Sequence, residues 1–444
     1  MSSWGVIGGG MLGMTLAARL RQAGHQVTLI EGAPHLGGLA AAWQLGDIVW
    51  DKHYHVILRS DRQLLPVIDE LGLTDDLRWV ETRTGCYSDG TLYSVSNTIE
   101  YLKFPVLSIV DKARLGWTLL LASRIKDYRK LERLTAEEWL TRHSGRRAFE
   151  RFWKPLLRSK LGENYRIASA SFIWAILRRL YGARESGMKK EMFGYVRGGY
   201  ARILERFAEY LGELGVETRL ATPVSSIRRE GGSVRVQAGD DELTFESVVV
   251  TMAPGITTRV VEGLGDAERE RMNAITYQGI ICASFLMDRP LGGFYVTNII
   301  DDWVPFTGVI EMSTIVDPSE LGGKTLVYLP RYTTQDDPAI EWSDEEVEDR
   351  FLTALEKMYP EFERSQVQAF QISRVRYVLP VTTLRYSDMV SPFQTSVQGV
   401  YSVNSSHIIN GTLNVNETLQ LVERAMPVLL GSGTGKSLET EVTG

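Results

Sequence analysis

The sequence predicts an α/β fold, and three observations near its start predict it. Residues 4–7 (WGVI) read as a short buried strand. Gly8, Gly10 and Gly13 follow with GxGxxG spacing, and 26–30 (QVTLI) read as a second strand closing on Glu31. Between the strands, 14–23 (MTLAARLRQA) reads as a helix that Gly24 ends. Each glycine answers a physical need. Gly8 permits a tight turn, Gly10 lets the backbone approach a pyrophosphate, and Gly13 lets helix and strand pack closely. The free N–H groups at the helix start face an anion. Glu31 stands where a carboxylate accepts hydrogen bonds from a ribose diol. A lone GxGxxG is weak evidence; set between strand and helix, with an acid ending the next strand, it marks a Rossmann-type dinucleotide site.

The rest of the composition is that of a globular chain. Of 444 residues, 44% are hydrophobic and 23% charged, which excludes disordered and fibrous classes. A net charge of −6 argues against a general nucleic-acid binder. Two cysteines, Cys86 and Cys282, cannot build a disulfide framework or a four-cysteine metal site, so no metal centre and a cytoplasmic setting are expected. The uncharged first 18 residues lack the basic start of a secretion signal and are broken by three glycines.

Gly37-Gly38, a second glycine pair just beyond Glu31, brings another loop to the diphosphate. Here the sequence resembles the FAD-dependent superfamily of flavin amine oxidases, protoporphyrinogen oxidases, phytoene-type desaturases and UDP-galactopyranose mutases. That resemblance implies FAD as cofactor. In the superfamily an arginine usually follows the glycine pair; here Leu39 stands in its place. Residues 215–254 resemble the second FAD-binding block, in which the residue matching Val224 clamps the adenine end through its backbone. Residues 400–425 resemble the third block, a strand ending at Asn404, a glycine loop and a helix starting near Asn416. The resemblance places the ribityl chain and ring system there. The usual Ala-Gly-acid is replaced by Val403-Asn404-Ser405, with Asn404 as a neutral substitute.

Candidates for chemistry are fewer. His53 and His55 lie in DKHYHVILRSD (51–61) and share a face if that stretch is extended. They read either as structural imidazoles or as groups that position substrate or move a proton beside the flavin. Arg376 is a candidate anion-binding residue ahead of a strand reaching Pro380. Lys324 is the only lysine between residues 191 and 356. Residues 142–190 carry 13 bases against three acids, and 301–365 carry 16 acids against five bases. The basic stretch reads first as a solvated helical face, then as an anionic-substrate or lipid head-group surface; alternatively the two segments pair with each other, within the chain or across a homo-oligomer. In 101–130 an apolar stripe through Leu107, Val110, Leu115, Leu119 and Ala122 reads as core, or as an amphipathic helix making peripheral membrane or lipid contact. Residues 431–437 (GSGTGKS) are one residue short of a phosphate-binding loop and open a flexible tail, 431–444.

The expected architecture is a Rossmann-type FAD-binding domain from 1–75, 195–270 and 396–430, interleaved with an α+β substrate domain from 76–194 and 271–395. The resemblance implies an FAD-dependent oxidoreductase that moves a hydride from a hydrophobic or ring-containing small molecule to flavin N5. Its alternatives are a non-redox isomerase of a sugar nucleotide and a non-catalytic flavin-binding protein.

Overall fold

The computed structural model describes residues 1–185 and 192–431; the side chains of 98 and 179–185 fall outside that description. The tail expected at 431–444 and its glycine-rich loop lie outside the described residues, save Gly431.

A five-stranded parallel sheet takes its strands from three distant stretches of chain. Its order is Glu217–Arg219, Gln26–Ile30, Ser3–Ile7, Ser247–Val250, Val400–Ser402. Alternate side chains point to opposite faces, and both faces are covered. Val6, Leu29 and Val249 meet the helices Met11–Gln22, Gly199–Leu214 and Val415–Leu429. Ile7, Ile30, Val248 and Val250 meet an antiparallel three-stranded sheet, Val224–Glu230, Ser233–Ala238 and Asp241–Phe245. Near-continuous Val and Ile runs in these strands follow from that double burial.

A seven-stranded mixed sheet forms the second layer system. Its order is 367–380, 277–287, 325–333, 308–311, 296–299, 84–88, 91–94. The strand Tyr277–Met287 is buried along all 11 residues, because strands flank it on both edges and both faces are packed. Helix Asp344–Met358 covers one face, while Trp50, Tyr195 and their neighbours cover the other. A helical cap over 98–185 has its own core around Trp139, Phe149 and Trp174.

Several expectations need correction. The first helix begins at Met11, not at residue 14, because Gly10 is already its N-cap and Gly13 lies in its first turn. Val110 does not join an inward stripe; it is exposed, while Leu107, Leu115 and Ala122 are buried. Arg374 and Arg376 do not precede a strand but lie inside Val367–Pro380. Among the described residues the basic and acidic segments form no ion pair with each other within the chain. Arg146, Lys154, Arg158 and Arg166 are spent on Glu137, Glu150 and Glu163. The acidic segment pairs with Arg364, Arg374 and Arg376.

Candidate functional site

The glycine turn lies at the carboxyl end of the parallel sheet, where open α/β sheets bind ligands. Gly8 adopts φ +109°, a conformation open to glycine, and its amide bonds to the Ile30 carbonyl at 2.8 Å. A Cβ on Gly13 would collide with the Gly8 carbonyl oxygen. Helix Met11–Gln22 has no side-chain cap and no acid in its first turn, so its first amides are left for an acceptor from outside the helix. Above it, Gly37 amide bonds to the Gly9 carbonyl at 2.8 Å, and Gly10 bridges to Gly37. A Cβ on Gly10 would meet nothing nearer than Gly38 Cα at 3.9 Å, so there is open room above the helix start.

Glu31 is fixed beside that room. One carboxylate oxygen accepts from the Gly9 amide at 2.6 Å, the other from the Ala33 amide at 2.8 Å. The backbone of Glu31 pairs with Arg219 and Thr222, and Ala221 with Ala33. This places Val224 just beyond the Glu31 loop, at the start of its strand and opposite Ala238.

The third block is engaged differently from the reading of its side chains. Asn404 is buried, and its amide is used inside the protein. Its Oδ1 accepts from the Ser406 amide and hydroxyl at 3.0 and 2.7 Å, and its Nδ2 donates to Ser402 Oγ at 3.0 Å. Asn416 reaches back across the sequence, where its Oδ1 accepts from the amides of Gln63 and Leu64 at 2.8 and 3.3 Å. It caps the helix Leu64–Glu70. Helix Val415–Leu429 itself is capped by Asn414. His407, buried between the Asn404 and Ser391 carbonyls, is pushed down to about 4 by burial.

Residues 52–56 lie outside any strand, between Ile48–Asp51 and Ile57–Leu58, so the two histidines do not share a strand face. Each ring is instead held by a backbone carbonyl. His53 Nδ1 lies 3.0 Å from the Leu39 carbonyl, and His55 Nδ1 lies 2.9 Å from the His53 carbonyl. A carbonyl only accepts, so each Nδ1 carries the proton and each Nε2 offers a lone pair. His53 Nε2 is buried with no hydrogen-bond partner. Burial lowers the pKa of His53 and brings His55 to about 4, so both rings are neutral. Tyr200 packs on His55 at 4.8 Å between ring centroids.

Sequence reasoning missed the residues that frame this pair. Asp51 is buried, and its Oδ1 accepts from the Tyr200 amide at 2.8 Å at the start of helix Gly199–Leu214. Burial pushes its carboxyl up to about 8, outweighing the two amide bonds that favour the charged form. Tyr54 and Tyr332 meet hydroxyl to hydroxyl at 3.1 Å, and Tyr328 donates to the Asp51 carbonyl at 2.7 Å. An acid beside a His-Tyr-His run and a Gly198-Gly199 helix start were the available signals; the pairing across 149 positions was not.

Arg376 is not part of this group. Its guanidinium forms a 2.6 Å ion pair with exposed Glu341, so the anion-binding reading is corrected. Lys324 pairs at 3.6 Å with Asp47, an exposed residue of a turn. A cleft of about 800 Å³, lined by Arg259, Arg269, Asn273, Tyr277, Gln335 and Tyr377, opens where the two sheet systems meet and includes neither histidine. Among the described residues no group of three or more His, Cys, Asp or Glu is placed to hold a metal ion. No helix among them is long and apolar enough to cross a membrane.

The model of the family "flavin containing amine oxidoreductase" matches residues 12–412. The chain belongs to that family. Within it, a 77-residue stretch is 35% identical to 15-cis-phytoene desaturase from Narcissus pseudonarcissus, covering 17% of this chain and 14% of that enzyme. The fold is similar to that of a protein assigned as a protoporphyrinogen oxidase from Exiguobacterium sp. 255-15. The TM-score is 0.78 at 18% identity, over 97% of this chain and 99% of that one. Putrescine oxidase gives 0.74 at 16%, over 97% and 99%. Reduced UDP-galactopyranose mutase gives 0.75 at 16%, over 98% and 96%. At such identities the likeness is one of fold. The family is one of flavin-containing oxidoreductases.

Proposed function

We propose that the flavin is FAD, and that the protein oxidises or desaturates a hydrophobic or ring-containing small molecule. The observation that carries this reading is the cradle formed by the uncapped start of helix Met11–Gln22, the room over Gly10 and the fixed carboxylate of Glu31. The first-turn amides would hold a diphosphate, Glu31 would take a ribose diol, and the chain at Val224 would close on the adenine end. When bound, FAD supplies the hydride-accepting chemistry.

The chain's own residues supply orientation and dryness. Tyr54 and Val56, which flank His55, pack on an apolar cluster that includes Tyr328, Ile280 and Cys282. The buried His53 Nε2 requires an N–H or O–H donor, because an unpaired buried acceptor costs about 1–3 kcal/mol. It would orient such a donor and hold its proton. Because burial lowers the pKa of both imidazoles, both are neutral at about pH 7 and above, and substrate reduction of the flavin should stay level there and fall on acidification only below the ordinary imidazole range.

Anaerobic bleaching of the purified protein by isoprenoid, porphyrin, amine and sugar-nucleotide compounds tests the proposal. The expected result is a yellow protein bleached by an isoprenoid or porphyrin compound, with His53→Gln slowing bleaching about tenfold or more and leaving the pigment bound. Turnover of a sugar nucleotide by pre-reduced protein, with no bleaching by any compound, would overturn it in favour of an isomerase. A protein that stays colourless after incubation with FAD would remove the cofactor assignment.

A further inference from the structure

Exposed large hydrophobic side chains are normal when scattered singly; a cluster signals a partner. Among the described residues, five of the twelve such side chains fall between positions 99 and 117: Ile99, Leu102, Ile109, Val110 and Trp117, exposed by 66, 58, 82, 61 and 51%. They lie on two consecutive helices, Thr98–Lys103 and Ile109–Arg124. The helices abut, since Lys112 Nζ donates to the Leu102 carbonyl at 2.7 Å. Phe104 and Leu107 are buried in the connection: Leu107 anchors the pair to the core of the cap, and Phe104 packs with Cys86 and Tyr93 at the edge of the seven-stranded sheet.

The second helix is of mixed polarity, burying Leu115 and Ala122 beside three polar side chains. Its buried side includes Asp111, Lys112 and Thr118, and its outer side carries Ile109, Val110 and Trp117. The buried polar groups are all satisfied. Asp111 closes a capping box with Ser108 and pairs with Arg147, and Thr118 meets Ser144 Oγ at 2.8 Å. The orientation is therefore locked by specific bonds, with the apolar face held outward.

The charge around the face is predominantly positive, with seven bases against three acids, Glu100, Asp111 and Asp127, between residues 98 and 130. Exposed Lys103, Arg114, Arg124 and Lys126 form no ion pair with a carboxylate among the described residues. Apolar side chains fringed by unpaired cations match the boundary between acyl chains and anionic headgroups.

We propose that helices 98–103 and 109–124 dock the protein onto an anionic lipid surface, with Ile109, Val110 and Trp117 entering the headgroup boundary. The inference stands apart from the cofactor reading. Cosedimentation of the full chain with vesicles tests it. The protein should pellet with phosphatidylcholine–phosphatidylserine vesicles and far less with phosphatidylcholine alone. An Ile109→Glu/Trp117→Glu variant, changed only at exposed positions, should keep its far-UV dichroism and Tm and lose about tenfold or more in binding. Arg124→Glu/Lys126→Glu should lose roughly fivefold per removed charge, an effect that high salt reproduces in the parent protein. Equal pelleting of parent and variants, or none by the parent, would overturn the proposal. So would a dimer in sedimentation equilibrium that Ile109→Glu/Trp117→Glu dissolves, because the face would then belong to a second copy.

Discussion

Helices Met11–Gln22 and Ile109–Arg124 solve the same local problem in opposite ways. The first buries nine of its 12 residues and leaves its N-terminus without a cap. The second buries five of 16, two of them charged, and closes its N-terminus with a full capping box. A cap is available to any chain that places Ser, Thr, Asp or Asn there. Its omission at Gly10 keeps amide donors open at the one end of a buried helix that faces room. Its presence at Ser108 means that what remains unsatisfied on the second helix is apolar. One helix is incomplete at its tip and the other along its side, and each deficiency points to a different class of partner.

Substitutions can break this contrast. The largest effect belongs to Gly13→Ala, where the added methyl meets the Gly8 carbonyl. It should destabilise the protein by about 3 kcal/mol or more and leave it without flavin, read as a lost visible spectrum and a lower Tm. Gly10→Ser should separate stability from binding. Gly10 has φ −74°, so a serine fits its backbone and supplies the missing cap. Flavin affinity should drop at least about tenfold as the side chain fills the room, while the flavin-free protein gains a few tenths of a kcal/mol. Ser108→Ala should cost about 1 kcal/mol and leave flavin content unchanged, as titration and chemical denaturation would show together.

The smallest effect is a slope. Helix Gly199–Leu214 is capped from afar by Asp51, whose carboxyl keeps its proton up to about pH 8, against the ordinary value of 3.8 in an unfolded chain. The folded state therefore binds more protons between these values, and the contribution of Asp51 to stability is lost as pH rises through that window. Asp51→Asn should flatten the decline in Tm between about pH 5 and pH 8. An unchanged slope would assign the decline to other groups.

The glycine turn was legible in the sequence because its constraints are local: three glycines, two strands and an acid at fixed spacing. The histidine pair was legible as composition, since two of six histidines stand two residues apart. What it lacked was the orphaned Nε2 of His53, which depends on the Leu39 carbonyl holding the other nitrogen. Asn404 and Asn416 show the limit of motif matching. Both look like polar ligand groups, and both spend their amides on backbone turns, one of them 353 positions away. Arg376 looked available because Glu341 pairs with it only once the strand is folded. Val110 was placed inward because a helical period gives the stripe but not which side the rest of the protein covers. There, the buried hydrogen bonds of Asp111 and Thr118 decided the orientation.

The central parallel sheet has one further consequence, for the order in which the molecule is made. The strand Ser247–Val250 finds its outer neighbour, Val400–Ser402, only after some 150 more residues have been synthesised. At ribosomal speeds of about 5–20 residues per second, that leaves a hydrophobic flank open for about 8–30 s in each nascent molecule. During that interval a chaperone has something to hold. A chain truncated before its last strand should be a client for degradation, however well its opening turn is formed.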